Sequence, residues 1–303
     1  MSGNKVFVLP PGEGWIVDRF VREWNEDNSD ISVNSPYKSD VIWLLSDWCW
    51  KKIPLDLLKT KKVLTTVHHI VPEKFGQNEI IDFTQRDAIT DAYHVYNEST
   101  YDFIRPLTEK PIHMIQYWAN QNIWKKTSEK EELKKKYGLP SDAFLVGSFQ
   151  RDTEGHDLAS PKLEKGPDLL ADFISLKKIS IFPKDLHVVL AGWRRQYIID
   201  RLEKLEIKYT YFERPDHDKV NDLYQCLDLY PVTARTEGGP QSLIECGLLS
   251  VPVVSRNVGI ARQVLPSYAI NDDVSLAIPA IPDVSGWKVP QGYADYRKLI
   301  CSL

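Results

Sequence analysis

The chain has 303 residues, of which 43% are hydrophobic and 26% charged, the make-up of an ordinary globular protein and a length that suits two domains better than one. A net charge of −4 argues against nucleic acid as the main partner, because neutralising phosphates needs a broad basic surface. Cys49, Cys226, Cys246 and Cys301 lie far apart with no C-x-x-C pair, which excludes a disulfide framework or a cysteine zinc site and leaves small buried hydrophobes.

In chain order, short apolar runs alternate with longer amphipathic stretches, the mark of a parallel sheet covered by helices. Lys5–Leu9, Val41–Leu45, Lys62–His68, Ala92–Tyr96 and Ile112–Ile115 read as strands, with Gly14–Asn25, Asn78–Ile89 and Ser99–Leu107 as helices between them. The first strand is too short for a signal-peptide core and Val41–Leu45 far too short to span a bilayer, so the chain is expected in the cytoplasm. Lysines 51, 52, 59, 61 and 62 could touch an anionic membrane surface, at most peripherally, but a solvated face is the simpler reading.

The charged stretch Lys125–Tyr137 ends at Gly138 and Pro140, a solvated helix with a glycine stop. It sets the expected division: a first Rossmann-like domain over 1–124, a second over 125–285, and a tail over 286–303 that could return to the first domain. The second domain repeats the alternation. Phe144–Phe149, His187–Ala191, Lys208–Phe212, Leu227–Pro231 and Val251–Ser255 read as strands. Gly166–Lys178, Arg195–Glu206, Asp216–Cys226 and Gly239–Leu248 read as helices, and Tyr293–Leu303 as a last one. The fold class is therefore α/β, two Rossmann-like domains facing a cleft, with chemistry sought beyond the carboxyl ends of the strands.

Thr236 to Glu245 follows a strand and opens a helix. Gly238 and Gly239 allow a sharp turn and close backbone approach, and Pro240 suits a first helical turn. The free N–H groups of that helix start, at Gln241 and Ser242, favour an anion such as a diphosphate. Glu237 and Glu245 flank it, a pair of carboxylates suited to a ligand with phosphates at its centre and hydroxyls at both ends.

This segment resembles the signature of the family 4 glycosyltransferases of the two-domain GT-B fold, E-G-G-P-x-x-L-x-E-x-x-x-x-G-x-P-V-V. The chain matches it at Glu237-Gly238-Gly239-Pro240, Leu243, Glu245 and Pro252-Val253-Val254, with Ser250 where the later glycine stands. Gly147 with Arg151, and Lys165-Gly166 with Asp168 and Leu170, resemble the family's G-x-x-x-R and K-G-x-D-x-L. The resemblance implies a retaining sugar transfer from a nucleotide-sugar donor to a glycan or lipid-linked acceptor hydroxyl, with the departing diphosphate helping to take the proton. It further implies that Glu237 contacts the donor sugar, Glu245 the ribose, and Arg151 and Lys165 the diphosphate, with Lys162 as the alternative lysine. The loop Pro11–Gly14 resembles the family's glycine-rich loop, which puts Gly12 and Gly14 near the donor. The strand ending Thr66-Val67-His68 resembles its T-x-H, whose histidine lies near the transferred sugar, with His69 as the alternative.

Asp216-His217-Asp218 imitates a metal-binding D-x-D but follows Pro215 and opens a helix, where Asp is an ordinary N-cap. No metal and no cofactor are expected. Two competing functions share these features: a sugar-nucleotide epimerase on the same fold, and a non-catalytic glycan-binding scaffold.

Overall fold

The computed structural model describes residues 4–14, 16–180 and 185–303. The chain divides into two compact units, Met1–Trp118 with Val289–Leu303, and Ala119–Lys288.

In the first unit, β1 (Val6–Val8), β2 (Val41–Leu44), β3 (Lys62–Val67), β4 (Ala92–Val95) and β5 (Ile112–Met114) pair in parallel in that order. Each lies on a predicted strand. On its other side Val6 donates to Ile31 O at 2.9 Å and accepts from Val33 N at 2.9 Å, so the sheet changes its direction of growth at β1. Helices α1 (Ile16–Asp27), α3 (Gln77–Asp87) and α4 (Glu98–Ile104) take the predicted places; Trp15, within the first of them as predicted, lies outside the described residues. A short α2 (Leu55–Leu58) follows Pro54 and was not predicted, since four residues carry no periodicity.

The predicted final helix is Ala294–Ser302 and packs in this unit. The Tyr296 ring lies 5.2 Å from Trp43 and 5.5 Å from Trp118, and its hydroxyl donates to Gln116 O. Tyr293 donates to Asp27 at 2.8 Å. Large aromatic faces supply the apolar area that makes the return worth its ordering entropy.

The second unit starts with α5 (Lys130–Lys136), the predicted charged helix, and β6 (Phe144–Ser148). A hairpin of β7 (Thr153–Glu154) and β8 (Ser160–Pro161) then occupies what the sequence reads as a long loop. The chain continues through α6 (Pro167–Ser180), β9 (Leu186–Gly192), α7 (Gln196–Lys204), β10 (Lys208–Glu213) and α8 (His217–Gln225). It ends with β11 (Tyr230–Val232), α9 (Gln241–Leu249), β12 (Val253–Ser255) and α10 (Ala261–Val264).

Strands β10, β9 and β6 form one parallel ladder, and β11 with β12 another. A bridge between Val146 and Leu229 joins them, with Gly147 N donating to Leu229 O at 3.0 Å. The order β10-β9-β6-β11-β12 reverses its direction of growth between β6 and β11, the switch point where open α/β sheets bind ligands. Gly147 is needed at that seam: a Cβ there would stand 2.2 Å from Leu227. Val146, Leu170, Val188, Leu190 and Ile198 fill the core between sheet and helices. Strand β9 is buried along nearly its whole length, as expected of a parallel strand covered on both faces.

Among the described residues, no helix is long and apolar enough to cross a membrane. Four of the clustered lysines have local partners: Lys51 pairs with Asp82, Lys62 with Asp91, Lys52 donates to Pro11 O and Lys61 to Ser39 O.

Candidate active site

Two loops leave neighbouring strand ends at the switch point of the second unit. The first follows β6 and carries Arg151, Lys162 and Lys165; the second follows β11 and runs into α9 with Glu237. They are laced together by backbone: Arg235 N donates to Glu164 O at 2.8 Å and Thr233 Oγ1 to Gly166 O at 2.9 Å. Gly166 adopts φ +62°, and a Cβ on it would fall 2.0 Å from the Thr233 carbonyl oxygen. Only glycine accepts both the left-handed backbone and that approach. The result is a pair at the centre of the site, Lys165 Nζ to Glu237 Oε1 at 2.5 Å, both side chains half-buried.

Lys162 lies close by, with Glu164 Oε1 at 3.5 Å. Burial pushes its ammonium below the usual lysine range, and the neighbouring charges of Lys165 and Arg151 act in the same direction while Glu164 opposes them. Arg151 donates through Nε to Thr153 O at 3.1 Å and rests over the Trp193 ring. The charges of Lys165 and Arg151 both act on Lys162, so both candidate lysines lie in one cluster with Arg151.

The sequence did not reveal what holds Arg151 in place. Arg195, read only as a helix start, is wholly buried and donates to Asp152 Oδ2 at 2.5 Å, to Ala191 O and to Ser148 Oγ. It ties the ends of β6 and β9 to the residue next to Arg151. No local pattern distinguishes such an arginine from a solvated one.

On the other side, Pro240 sits at the cap of α9 rather than in its first turn: its backbone is extended (ψ 112°) and its carbonyl accepts from Leu243 N. The helix thus opens at Gln241, whose side-chain Nε2 is buried and without a hydrogen-bond partner among the described residues. A buried donor left unmatched is unfavourable by about 1–3 kcal/mol unless something bound supplies an acceptor. Ser242 is half-buried in the same turn. Gly238 and Gly239 are buried in the turn before it, backed by Gly259, where a Cβ would meet Gly238 O at 3.0 Å.

Glu245 lies one face along α9 and is buried, accepting from Tyr224 Oη at 2.7 Å. Tyr224 is a second residue the sequence reading missed. Burial raises its phenol well above its ordinary value, and the Glu245 charge adds to that, so it stays a donor to the carboxylate. At the far end of α9, Ser250 occupies the glycine position of the family pattern with φ +59°.

In the first unit, His68 ends β3 with Nε2 2.8 Å from Leu45 O, while His69 is exposed. Burial lowers the His68 pKa, and the Leu45 carbonyl partly offsets it, which leaves a neutral ring donating through Nε2. Its neighbours are Trp48 at 6.0 Å and Tyr96 at 5.3 Å.

The glycine-rich loop departs from expectation. Gly12 and Gly14 do take left-handed backbones (φ +71° and +69°). The amides of Gly12, Glu13 and Gly14, however, all donate to the Asp18 carboxylate at 2.8 Å. The anion-sized nest that such glycines create is filled from within the chain. The D-x-D reads as expected: Asp216 caps α8, accepting from Lys219 N at 2.8 Å.

Residues 129–271 match the family model described as glycosyl transferases group 1. No curated protein sequence matches the chain. Among solved structures, an Anabaena protein, HepE, in complex with UDP and glucose superposes with a TM-score of 0.68 at 13% identity, over 90% of this chain and 87% of that one. Sucrose-phosphate synthase from Thermosynechococcus elongatus gives 0.60 at 15% identity over 86% and 66%. A glycosyltransferase from Rickettsia africae gives 0.59 at 14% over 97% and 88%. The chain therefore has the α/β fold of the GT-B glycosyltransferases, and its segment 129–271 is similar to the group 1 glycosyl transferase family.

Proposed function

We propose that the protein is a glycosyltransferase of family 4 type that moves a sugar from a nucleotide-sugar donor to the hydroxyl of a glycan or lipid-linked acceptor, with retention and without a metal. The observation that carries this reading is the convergence of Lys165, Glu237 and the unmatched Gln241 amide at the switch point of the second unit. In it, Arg151 and Lys165, with Lys162 beside them, neutralise the diphosphate as it leaves. Fixed cations near developing charge in a poorly solvated site supply the largest catalytic term. The α9 start at Gln241 and Ser242 holds a phosphate oxygen. Gly238, Gly239 and Pro240 shape the turn that brings Glu237 to the donor sugar, and Glu245, steadied by Tyr224, accepts from the ribose hydroxyls.

His68, neutral and oriented by Leu45, is assigned to the acceptor side near the transferred sugar. Gly12 and Gly14 act by shaping their loop. The working place is the cytoplasm, with at most peripheral contact at the inner membrane face, in the assembly of a polysaccharide.

The Anabaena complex makes UDP the first base to try. Thermal-shift titration with UDP, GDP, ADP and their glucose conjugates is expected to raise the melting temperature for one base only. Glu237→Gln is expected to lower nucleotide release on the order of a hundredfold. Unchanged release in that variant would remove the site. Release without any acceptor, with the donor sugar changed in configuration, would favour the epimerase, and no donor turnover at all the scaffold.

A further inference from the structure

Beyond the donor site, the carboxyl edge of the first unit's sheet carries a groove of about 450 Å³. Its walls come from the ends of β2 and β3 and from α3, with Trp48, Phe75, Glu79, Asp82 and Arg86 among them. Resting on the donor reading above, we propose that this groove is the acceptor subsite and that it takes an uncharged, hydroxyl-rich sugar ring stacked on Trp48.

Three features select that ligand. Trp48 is 50% exposed, yet its indole edge is fixed, Nε1 donating to Glu13 Oε1 at 2.9 Å. Glu13 is itself held through its amide by Asp18. A large indole with its N–H occupied and its surface in water is a stacking platform for the C–H face of a sugar. Next, the groove is rich in carboxylates. Asp82 accepts from Lys51 at 2.7 Å and Arg86 at 2.8 Å, and Asp47 pairs with the same Arg86 at 3.0 Å. Trp50 Nε1 also donates to Asp82, at 3.2 Å, which leaves that carboxylate little spare capacity, whereas Asp47, held by Arg86, and Glu79, which accepts from Gly76 N, keep lone-pair directions for hydroxyl hydrogens.

The third feature is what the charges refuse. Arg86 is buried between two aspartates, and Glu79 adds a third carboxylate against Lys74, so the groove's charges are largely matched among themselves and a phosphate or uronate would find no open guanidinium. Trp48 also places the groove beside His68, 6.0 Å ring to ring, on the histidine assigned to the sugar being transferred.

The full-length chain should be titrated by saturation-transfer NMR with two sets of oligosaccharides, neutral and uronate-bearing, with UDP present. The expected result is binding of at least one neutral member. Trp48→Ala should weaken it at least tenfold and Trp48→Phe should restore it to within about threefold of wild type, all three proteins keeping the same melting temperature and the same UDP-induced shift. Preference for the acidic set, no oligosaccharide binding at all, or equal affinity in Trp48→Ala would overturn the proposal. A wild-type chain that binds neutral sugars through Trp48 but shows no nucleotide shift would keep the groove and sink the donor reading instead.

Discussion

The loop after the first strand of each unit answers the same geometric problem in opposite ways. Both follow a strand at which the sheet reverses its growth, where backbone amides and helix starts are left open. In the first unit the amides of residues 12–14 close on Asp18, and the loop is internally satisfied. In the second, Lys165 pairs with Glu237 and Lys162 with Glu164, and at the start of α9 the buried Gln241 Nε2 has no hydrogen-bond partner among the described residues. Two similar scaffolds thus differ: one loop satisfies its own amides, and the other leaves cations and a buried amide donor together, as the proposed donor site requires. A switch point creates the opportunity for a site, and the side chains nearby decide whether it stays open.

The sharpest test of that contrast exchanges charge for alanine in each loop. Lys165→Ala is expected to lower nucleotide release at least a hundredfold while changing stability by about 1 kcal/mol, since both partners of the ion pair keep some contact with solvent, 21% and 15% exposed. Asp18→Ala is expected to do the reverse, lowering stability by about 1 kcal/mol as three amides lose their acceptor, with turnover reduced only a few-fold. Urea denaturation and a nucleotide-release assay on both variants settle it; equal catalytic losses would erase the distinction.

A smaller effect is expected at Tyr224→Phe. Deleting the hydroxyl removes the hydrogen bond that Tyr224 donates to Glu245, and affinity for the nucleotide, read by calorimetry, should fall about tenfold with the fold intact. An unchanged affinity would mean that Glu245 needs no steadying.

Acid should separate the units next. His94 accepts from Thr66 at Nδ1 and donates to Ile115 O from Nε2, with Trp43 donating to the same threonine oxygen. Burial pushes its pKa down to about 3, and lowers that of His68 in the same unit. The unfolded imidazole takes a proton near pH 6.5, which the folded one refuses until about 3, so stability is fully present above pH 6.5 and is lost as the pH falls through that window. In the second unit burial lowers the pKa of His187 as well. Between pH 7.5 and 5.5 the first unit should lose stability on the order of 1 kcal/mol more than the second, and hydrogen exchange measured at both values reads each unit separately. Equal losses would refute it.

The smallest expected change is a gain. Ser250 stands where the family pattern has glycine and holds φ +59° at the end of α9. Ser250→Gly removes that strain and should raise stability by about 0.5–1 kcal/mol in urea titration; a loss would show that the serine is held there for another reason.

Much of this was legible in the residues. Strands such as Val41–Leu44 and Lys62–Val67 declared themselves by apolar runs, and the Glu237-to-Pro252 pattern located the turn and the start of α9, because glycine spacing and a helix start are local properties. Gly166 was marked by its motif, although the reason, a carbonyl 2.0 Å from where its Cβ would be, appears only when two distant loops meet. Length and periodicity likewise failed for the two-residue strands of the β7–β8 hairpin, which are too short to carry a period.

By itself, then, the sequence determined the alternation of strands and helices and the position of the acidic loop that opens α9, since backbone preference and hydrophobic period act between near neighbours. Only the tertiary structure decided that Asp18 fills the Gly12–Gly14 nest, that Tyr224 holds Glu245 and that Arg195 anchors the segment of Arg151. Most of those partners lie tens of residues apart along the chain, and even Asp18 reaches its amides only through the left-handed turns of the loop. What joins them is the folding of the backbone, which no local pattern of side chains records.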